Sequence, residues 1–378
     1  MRYPENIKKG GTIGFVAPSF GCNIDPYRTL FDSSLKMWES RGYKTLLGPN
    51  CYAGDGIGIS STPSSCGKEL TDGYCSGESD VLISCGGGEL MCETLEYVDF
   101  DRISEAGPKW YMGYSDNTNF TFTLTTMCDV ASIYGPCAAG FGMRSLHKSY
   151  EDAWGIMSRE NGVTAAGDTM SGTGILDDAG APTAYEFSGY GMWERDLSSE
   201  EKALKDPLDP IEPTEKTVLH RYIGDGEPLS ETTPEPERIS MQGRLLGGCL
   251  DCLVTLCGTK FDRVRQFNRK YGSEGILWFL ESCDLNVFAM RRAVWELEQA
   301  GWFECASGFL IGRPLQFGQE MFGLDQYRAV YDILSRHRVP ILMDADVGHL
   351  SPMVPLITGS AATVNAAGND WKIKMELK

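Results

Sequence analysis

Residues 110–120 have the sequence WYMGYSDNTNF, in which an apolar run stops at a glycine and a polar stretch follows. This order predicts a strand, a sharp turn and the beginning of a helix. Ser115 falls in the turn, so its hydroxyl would be exposed at a strand end and close to the free N–H groups of the helix. That position suits a nucleophile, although a serine or an aspartate at a helix start commonly serves only as an N-cap.

Apolar segments alternate with helical patterns on both sides of this turn. Strands are predicted at residues 12–19, 44–47, 80–84, 109–112, 276–280, 308–312 and 340–343, and helices at 26–41 and 288–300. The alternation favours an α/β fold with a mostly parallel sheet, and such sheets bind ligands beyond the carboxyl ends of their strands. Ser115 and the glycine run at residues 86–88 both follow predicted strands, which places them at such an edge.

The chain length of 378 residues predicts about two domains. Residues 194–238 are charged and rich in proline, which is typical of a long connection, with a possible short strand at 217–223. We therefore predict an N-terminal α/β domain over residues 1–165 that carries the nucleophile, a variable connecting region over 166–240, and a C-terminal domain over 241–378.

The charge and composition exclude several classes of partner. Lys and Arg number 34 against 52 Asp and Glu, and the resulting net charge of −18 argues against nucleic acid and anionic membranes as partners. No apolar run approaches the ~20 residues of a membrane-spanning helix, and residues 1–6 contain no apolar signal region. The sequence therefore predicts a cytoplasmic protein without a membrane partner.

Thirteen cysteines are scattered without regular spacing, which favours reduced, buried thiols over a disulfide framework. Cys249 and Cys252 form a C-x-x-C pair, but no second pair or nearby histidine completes a zinc site, so core packing is the favoured interpretation. No dinucleotide-binding G-x-G-x-x-G motif follows the first strand. The sequence therefore predicts neither a metal nor a cofactor.

A serine nucleophile needs a base, an acid that orients the base, and an oxyanion hole. Of the four histidines, His349 lies on a turn after a predicted strand, whereas the other three lie in polar or variable segments. The alternative interpretation is that His349 has no catalytic role and that its side chain only forms hydrogen bonds within the turn. Glu281 directly follows five apolar residues, so its carboxylate would emerge at a strand end, and its alternative role is a helix-start carboxylate. Because an imidazole base must be neutral, we expect activity to fall below about pH 6.

Backbone N–H groups complete the predicted site. The glycine run lets the backbone approach a developing oxyanion, and we predict Gly88 and Asp116 as its two donors, with Gly87 beside the substrate. A plain turn and a phosphate-binding loop are the alternative interpretations of the glycines.

Six short motifs occur in an order that resembles the LD-carboxypeptidase family of serine peptidases, which includes the microcin C self-immunity peptidases. They are GFVAPS at residues 14–19, GGG at 86–88, GYSD at 113–116, GRLLGG at 243–248, FLE at 279–281 and GH at 348–349. The resemblance spans roughly residues 8–145 and 240–365. It implies a triad of Ser115, His349 and Glu281, a C-terminal domain built partly on β-structure, an active site between the two domains, and a homodimer without metal or cofactor.

Two kinds of small substrate fit the resemblance. The chain length and the long region at 150–240 are more similar to the immunity branch, which implies a peptidyl-nucleotide substrate, and a murein tetrapeptide is the alternative. In the immunity branch an inter-domain aromatic residue stacks on the nucleotide. Trp193, with Tyr190 behind it, is the candidate here, and an aromatic residue that anchors a loop is the competing role. A catalytically silent peptide-binding protein and, more remotely, a metal or redox protein are the remaining hypotheses.

Overall fold

Two large β-sheets organise the chain. The computed structural model describes residues 1–158, 173–176, 182–196 and 205–378. Within these residues one sheet has six strands and the other nine, and two further pairs of short strands form separate ribbons. Helices pack on the sheets, so the predicted α/β class is confirmed.

Five of the six strands of the first sheet are parallel, as the alternating pattern predicts. In spatial order the strands are Leu356–Thr358, Ser132–Tyr134, Tyr111–Gly113, Val81–Ser84, Thr12–Val16 and Lys44–Leu47. The helices of this part are Tyr27–Ser40, Pro63–Cys75, Met91–Thr94, Phe100–Glu105, Thr118–Cys128 and Lys148–Ser158. Burial of apolar side chains at helical spacing holds the first of these helices on the sheet, where Phe31 and Trp38 pack against Phe15.

The second sheet is parallel at its centre and antiparallel at both ends. Its spatial order is His220–Ile223, Pro340–Ala345, Ala306–Gly312, Ile276–Glu281, Arg238–Cys249, Ala361–Ala367, Asp370–Glu376, Pro182–Ser188 and Thr173–Leu176. Its helices are Leu250–Leu256, Val264–Tyr271, Val287–Gln299 and Gln326–Leu334. The two ribbons pair Met192–Trp193 with Glu215–Lys216, and Glu320–Met321 with Leu324–Asp325.

The chain passes from the second sheet back to the first near its C-terminal end. Leu356–Thr358 follows the last parallel strand of the second sheet and pairs antiparallel with Ser132–Tyr134 at the edge of the first. The backbone N–H of Cys249 also donates to Thr118 Oγ1 across the two parts. These contacts fix the carboxyl ends of the central strands of both sheets beside one another.

The region predicted as a connection contributes strands to both ends of the second sheet. Thr173–Leu176 and Pro182–Ser188 extend one end, and His220–Ile223 lies at the other. The predicted boundary at residue 165 and part of the proline-rich segment lie outside the described residues, so the domain limits stay a prediction. No helix in the described ranges is long and apolar enough to cross a membrane.

Candidate active site

Ser115 lies at the turn between strand Tyr111–Gly113 and helix Thr118–Cys128, as its sequence predicts. Its backbone has φ of 61°, a left-handed conformation that is uncommon for a residue with a side chain. Gly113 allows the tight turn, because a Cβ there would lie 2.8 Å from Asn117 Cβ. A strained serine between a strand and a helix is the geometry of a nucleophile elbow.

Three residues that the sequence singles out form one hydrogen-bonded chain. His349 Nε2 lies 2.9 Å from Ser115 Oγ, and His349 Nδ1 lies 2.8 Å from Glu281 Oε2. The serine comes from the first sheet, the glutamate ends a central strand of the second, and the histidine follows another. In this arrangement Nε2 of the imidazole can take a proton from the serine hydroxyl, while the Glu281 carboxylate accepts a hydrogen bond from Nδ1.

Glu281 is enclosed by groups that the sequence did not reveal. Its carboxylate is buried, and the hydroxyl of Tyr134 donates to its second oxygen. The same hydroxyl accepts the backbone N–H of Ser115 at 3.3 Å. Gly348 leaves the space that the carboxylate occupies, since a Cβ there would lie 2.6 Å from Glu281 Oε2, and its φ of 106° also favours glycine.

The charges of the acid and the base depend on each other. Burial lowers the pKa of His349, but the adjacent Glu281 carboxylate and the Cys283 side chain outweigh it, so the net pKa is well above the ordinary imidazole value. Burial raises the pKa of Glu281, and the neighbouring imidazole with the hydrogen bonds to the carboxylate brings it below its usual range. The pair therefore favours the ionised carboxylate beside a readily protonated histidine.

The glycine run reaches the serine at Gly87, and Gly88 and Asp116 line the same cavity as Ser115. A Cβ on Gly87 would be 3.3 Å from Ser115 Oγ, so a side chain at this position would crowd the serine hydroxyl. Among the described residues, neither Gly87 nor Gly88 donates its backbone N–H to a protein acceptor. The side chain of Asp116 is engaged elsewhere, because it accepts Ser19 Oγ at 2.5 Å and the N–H of Met91 at 2.9 Å. Burial raises the pKa of Asp116 to about 6.

Trp193 and Tyr190 do not line the cavity at Ser115, contrary to the expectation that they form part of it. The ring of Trp193 is buried 5.2 Å from the Arg313 guanidinium, and Trp193 Nε1 donates to the carbonyl of Lys216. Tyr190 donates its hydroxyl to Asp152. The flanking glycines suggest a mobile loop, but strand pairing of Met192–Trp193 holds the aromatic side chain in the interior.

A cavity of about 690 Å³ opens beside Ser115 and His349. It lies between loops that follow strands of the first sheet and the start of helix Leu250–Leu256 in the second part. Polar lining residues that the sequence did not single out include Glu89, Asn119, Asp251 and Asp284. Glu89, Asn119 and Asp284 follow predicted strands, and this position was the available signal.

The cysteines contribute packing to this part of the molecule. All thirteen are free thiols, and Cys249 and Cys252 are buried in contact with each other in the cavity wall. Within the described ranges, no group of three or more His, Cys, Asp or Glu side chains is arranged to hold a metal ion.

Two family models match the chain in the two parts that meet at this cavity. The LD-carboxypeptidase N-terminal domain matches residues 13–135, and the LD-carboxypeptidase C-terminal domain matches residues 242–364. The chain belongs to the LD-carboxypeptidase family. The first matched domain contains Ser115, and the second contains Glu281 and His349. Membership of the LD-carboxypeptidase family supports a peptidase.

Curated relatives carry two different names within this LD-carboxypeptidase family. A probable murein peptide carboxypeptidase of Bacillus subtilis (strain 168) is 25% identical over 369 residues, which cover 96% of this chain and 92% of the relative. The microcin C7 self-immunity protein MccF of Escherichia coli is 20% identical over 353 residues, 93% of this chain and 89% of the relative.

Solved structures share the fold over the full length of the LD-carboxypeptidase chain. An MccF-like protein from Bacillus anthracis str. Ames has a TM-score of 0.76 at 18% identity, and each chain is fully covered. MccF in complex with aspartyl sulfamoyl adenosine has a TM-score of 0.73 at 18% identity, with 99% of this chain and 98% of the other covered. These similarities establish the fold.

Proposed function

We propose that this chain is a serine carboxypeptidase-like hydrolase that cleaves the C-terminal amide of a short peptide or peptide conjugate. The observation that carries the proposal is the hydrogen-bonded chain from Ser115 through His349 to Glu281 at the wall of a cavity. Membership of a peptidase family gives it independent support.

The geometry leads to a two-step mechanism. Ser115 Oγ attacks the substrate carbonyl while His349 Nε2 takes the hydroxyl proton. Glu281 stabilises the resulting imidazolium, and the N–H groups of Gly88 and Asp116 hold the developing oxyanion. His349 then gives the proton to the leaving amine, and a water molecule, deprotonated by the same imidazole, hydrolyses the acyl-enzyme.

For the substrate we propose the microcin immunity type, a peptidyl-nucleotide. The full-length structural likeness to MccF, solved with aspartyl sulfamoyl adenosine, supports it. Murein peptide is the second candidate, supported by the Bacillus subtilis relative at 25% identity. We further propose that the protein works in the cytoplasm and that it forms a homodimer. Light scattering of the purified chain would test the homodimer.

The decisive experiment uses the substitution Ser115→Ala. A serine-reactive fluorophosphonate should label the wild-type chain at Ser115, and both label and hydrolysis should be lost in the variant. The control Ser40→Ala changes an exposed serine at a helix end and should behave as wild type. Mass spectrometry of products from a peptidyl-nucleotide and a murein tetrapeptide identifies the preferred substrate. Wild-type turnover in Ser115→Ala would refute the serine mechanism, and a wild-type chain that is not labelled and cleaves neither substrate would indicate a binding protein.

A further inference from the structure

A buried ion pair anchors the turn that carries His349. Asp346 lies three residues before His349, and Arg313 directly follows strand Ala306–Gly312. Arg313 donates to the carboxylate of Asp346, and its other terminal nitrogen donates to the carbonyl of Asp344 at 2.6 Å. Arg313 is 1% exposed and Asp346 is fully buried. The pair therefore ties the end of a central strand of the second sheet to the segment that contains the base.

The segment that contains the base forms a closed loop. The backbone carbonyl of Asp346 accepts the N–H of Val354 at 2.7 Å, and we call residues 346–354 the histidine loop. The loop packs tightly on the strand before Arg313, because a Cβ on Gly312 would lie 2.1 Å from the carbonyl oxygen of Val347. A displacement of Asp346 would therefore be transmitted through the loop to the imidazole.

Part of the predicted connecting region holds the histidine loop on both sides of the base. We call residues 189–194 the clasp. The backbone N–H of Tyr190 donates to the carboxylate of Asp346 at 2.9 Å, and that of Glu194 donates to the carbonyl of Ser351 at 2.7 Å. The clasp thus fixes the loop at a point before the base and at a point after it.

The ion pair contributes geometry more than stability. Removal of two charges from water costs much of the attraction between them, so a buried ion pair adds little net stability. Arg313 Nε has no hydrogen-bond partner among the described residues, and the ring of Trp193 lies 5.2 Å from the guanidinium. What the pair provides is one defined arrangement of the clasp, the strand end and the histidine loop.

We propose that Asp346, held by Arg313 and the clasp, positions the base His349 for proton transfer. The proposal rests on the hydrolase function above and adds a positioning residue, since Asp346 does not line the cavity at Ser115. Loss of the anchor lets the imidazole move away from the serine hydroxyl and from Glu281. A misplacement of about 1 Å in such a site can cost on the order of 100-fold in rate.

The test removes each charge of the pair in turn. Asp346→Asn places an amide N–H among the donors that surround the carboxylate, and Arg313→Met leaves an apolar side chain. We expect kcat to fall at least about tenfold in each variant, while KM changes less than about twofold. The pKa of His349, measured by NMR titration of the ring and assigned with His349→Gln, should fall in both variants, because the raising effect of Glu281 weakens with distance.

Arg313→Met separates displacement of the base from a direct effect of charge. Loss of a nearby cation by itself raises the pKa of His349, whereas displacement from Glu281 lowers it. The titratable groups that interact with the His349 ring include Glu281, Cys283 and Glu89, and all three are kept. An unchanged or raised pKa in Arg313→Met, or wild-type kcat in both variants, would overturn the proposal.

The control is Glu151→Gln, which breaks a partly buried ion pair with Arg41 away from the cavity. It should leave kcat and the pKa of His349 unchanged. If neither variant of the buried pair folds, Trp371→Phe removes only the indole N–H that donates to Asp346 at 3.3 Å. It should lower kcat and the pKa to a smaller extent, and wild-type values of both would then contradict the positioning role.

Failure of the proposed function has a different signature. If wild-type protein is not labelled at Ser115 and hydrolyses neither candidate substrate, the hydrolase proposal fails. The NMR titration needs no turnover, so it still decides whether the buried pair positions the imidazole.

Discussion

Tyr134 donates its hydroxyl hydrogen to Glu281 and accepts the backbone N–H of Ser115. A side chain at the carboxyl end of strand Ser132–Tyr134 thus joins the acid of the second sheet to the turn that carries the serine. The tyrosine hydroxyl donates to one carboxylate oxygen of Glu281, and the other oxygen is hydrogen-bonded to His349 Nδ1. This contact is a positioning interaction, because the tyrosine acts through Glu281 and the turn.

The substitution Tyr134→Phe should lower kcat/KM about tenfold, as expected for the loss of a hydrogen bond to a buried carboxylate. The ring packs against Phe279 and should keep that contact, so the fold should be retained. Steady-state kinetics with circular dichroism measure both. Tyr52→Phe, which removes the hydroxyl of a more exposed tyrosine bonded to Asp32, is the control. Unchanged activity in Tyr134→Phe would contradict the positioning role.

The acid limb of the pH profile should lie above the ordinary imidazole pKa of 6.5, and therefore higher than the value near 6 expected from sequence. Glu281 raises the pKa of His349, and the base works only when neutral, so activity is lost as pH falls through this raised pKa. In Glu281→Gln the limb of the residual activity should move to lower pH. His337→Gln changes a histidine paired with Glu298 and should leave the limb unmoved. A wild-type limb at or below 6.5 would contradict the coupling.

Gly348→Ala should abolish activity and destabilise the fold by roughly 2–5 kcal/mol, through left-handed strain and overpacking against Glu281. The control is Gly368→Ala, which also has positive φ but open space around the new methyl group. Denaturant unfolding and kinetics of both variants measure the difference. Similar losses in the two variants would show that the contact with Glu281 is unimportant.

Trp193→Ala should act on stability and not on the recognition of a nucleobase. Removal of this buried ring should destabilise the protein by about 3–5 kcal/mol. The ring covers Arg313, which pairs with the buried Asp346 three residues before His349, so hydrolysis of both candidate substrates should weaken alike. Thermal unfolding and KM for both substrates test this. A selective rise in KM for the nucleotide substrate would restore the stacking role.

Local patterns were sufficient to predict the parts of the site that depend on a single strand end. Ser115, Glu281 and His349 each lie at or after the end of a predicted strand, so their positions at strand ends could be predicted from nearby residues. The contact of Tyr134 with Glu281 spans 147 residues and depends on how two sheets meet, for which the sequence holds no local signal.

The strands at the ends of the second sheet were harder to predict for the same physical reason. Pro182–Ser188 pairs with Asp370–Glu376, almost two hundred residues along the chain, and its place follows from an available sheet edge. The prediction of a mobile loop at Trp193 failed for a related reason. The glycines beside Trp193 favour a mobile loop when only the local sequence is considered, but the strand pairing of Trp193 with Glu215 holds this residue in place.

The return of Leu356–Thr358 to the edge of the first sheet has a consequence for the order of synthesis. Ser115 is synthesised 234 residues before His349, and the strand that joins the two sheets follows that histidine. A nascent chain therefore carries the serine before it carries the imidazole with which the serine is hydrogen-bonded. The three side chains of the candidate site can meet only after both sheets have been synthesised, so the site forms by the docking of the two sheets and not during the folding of the first.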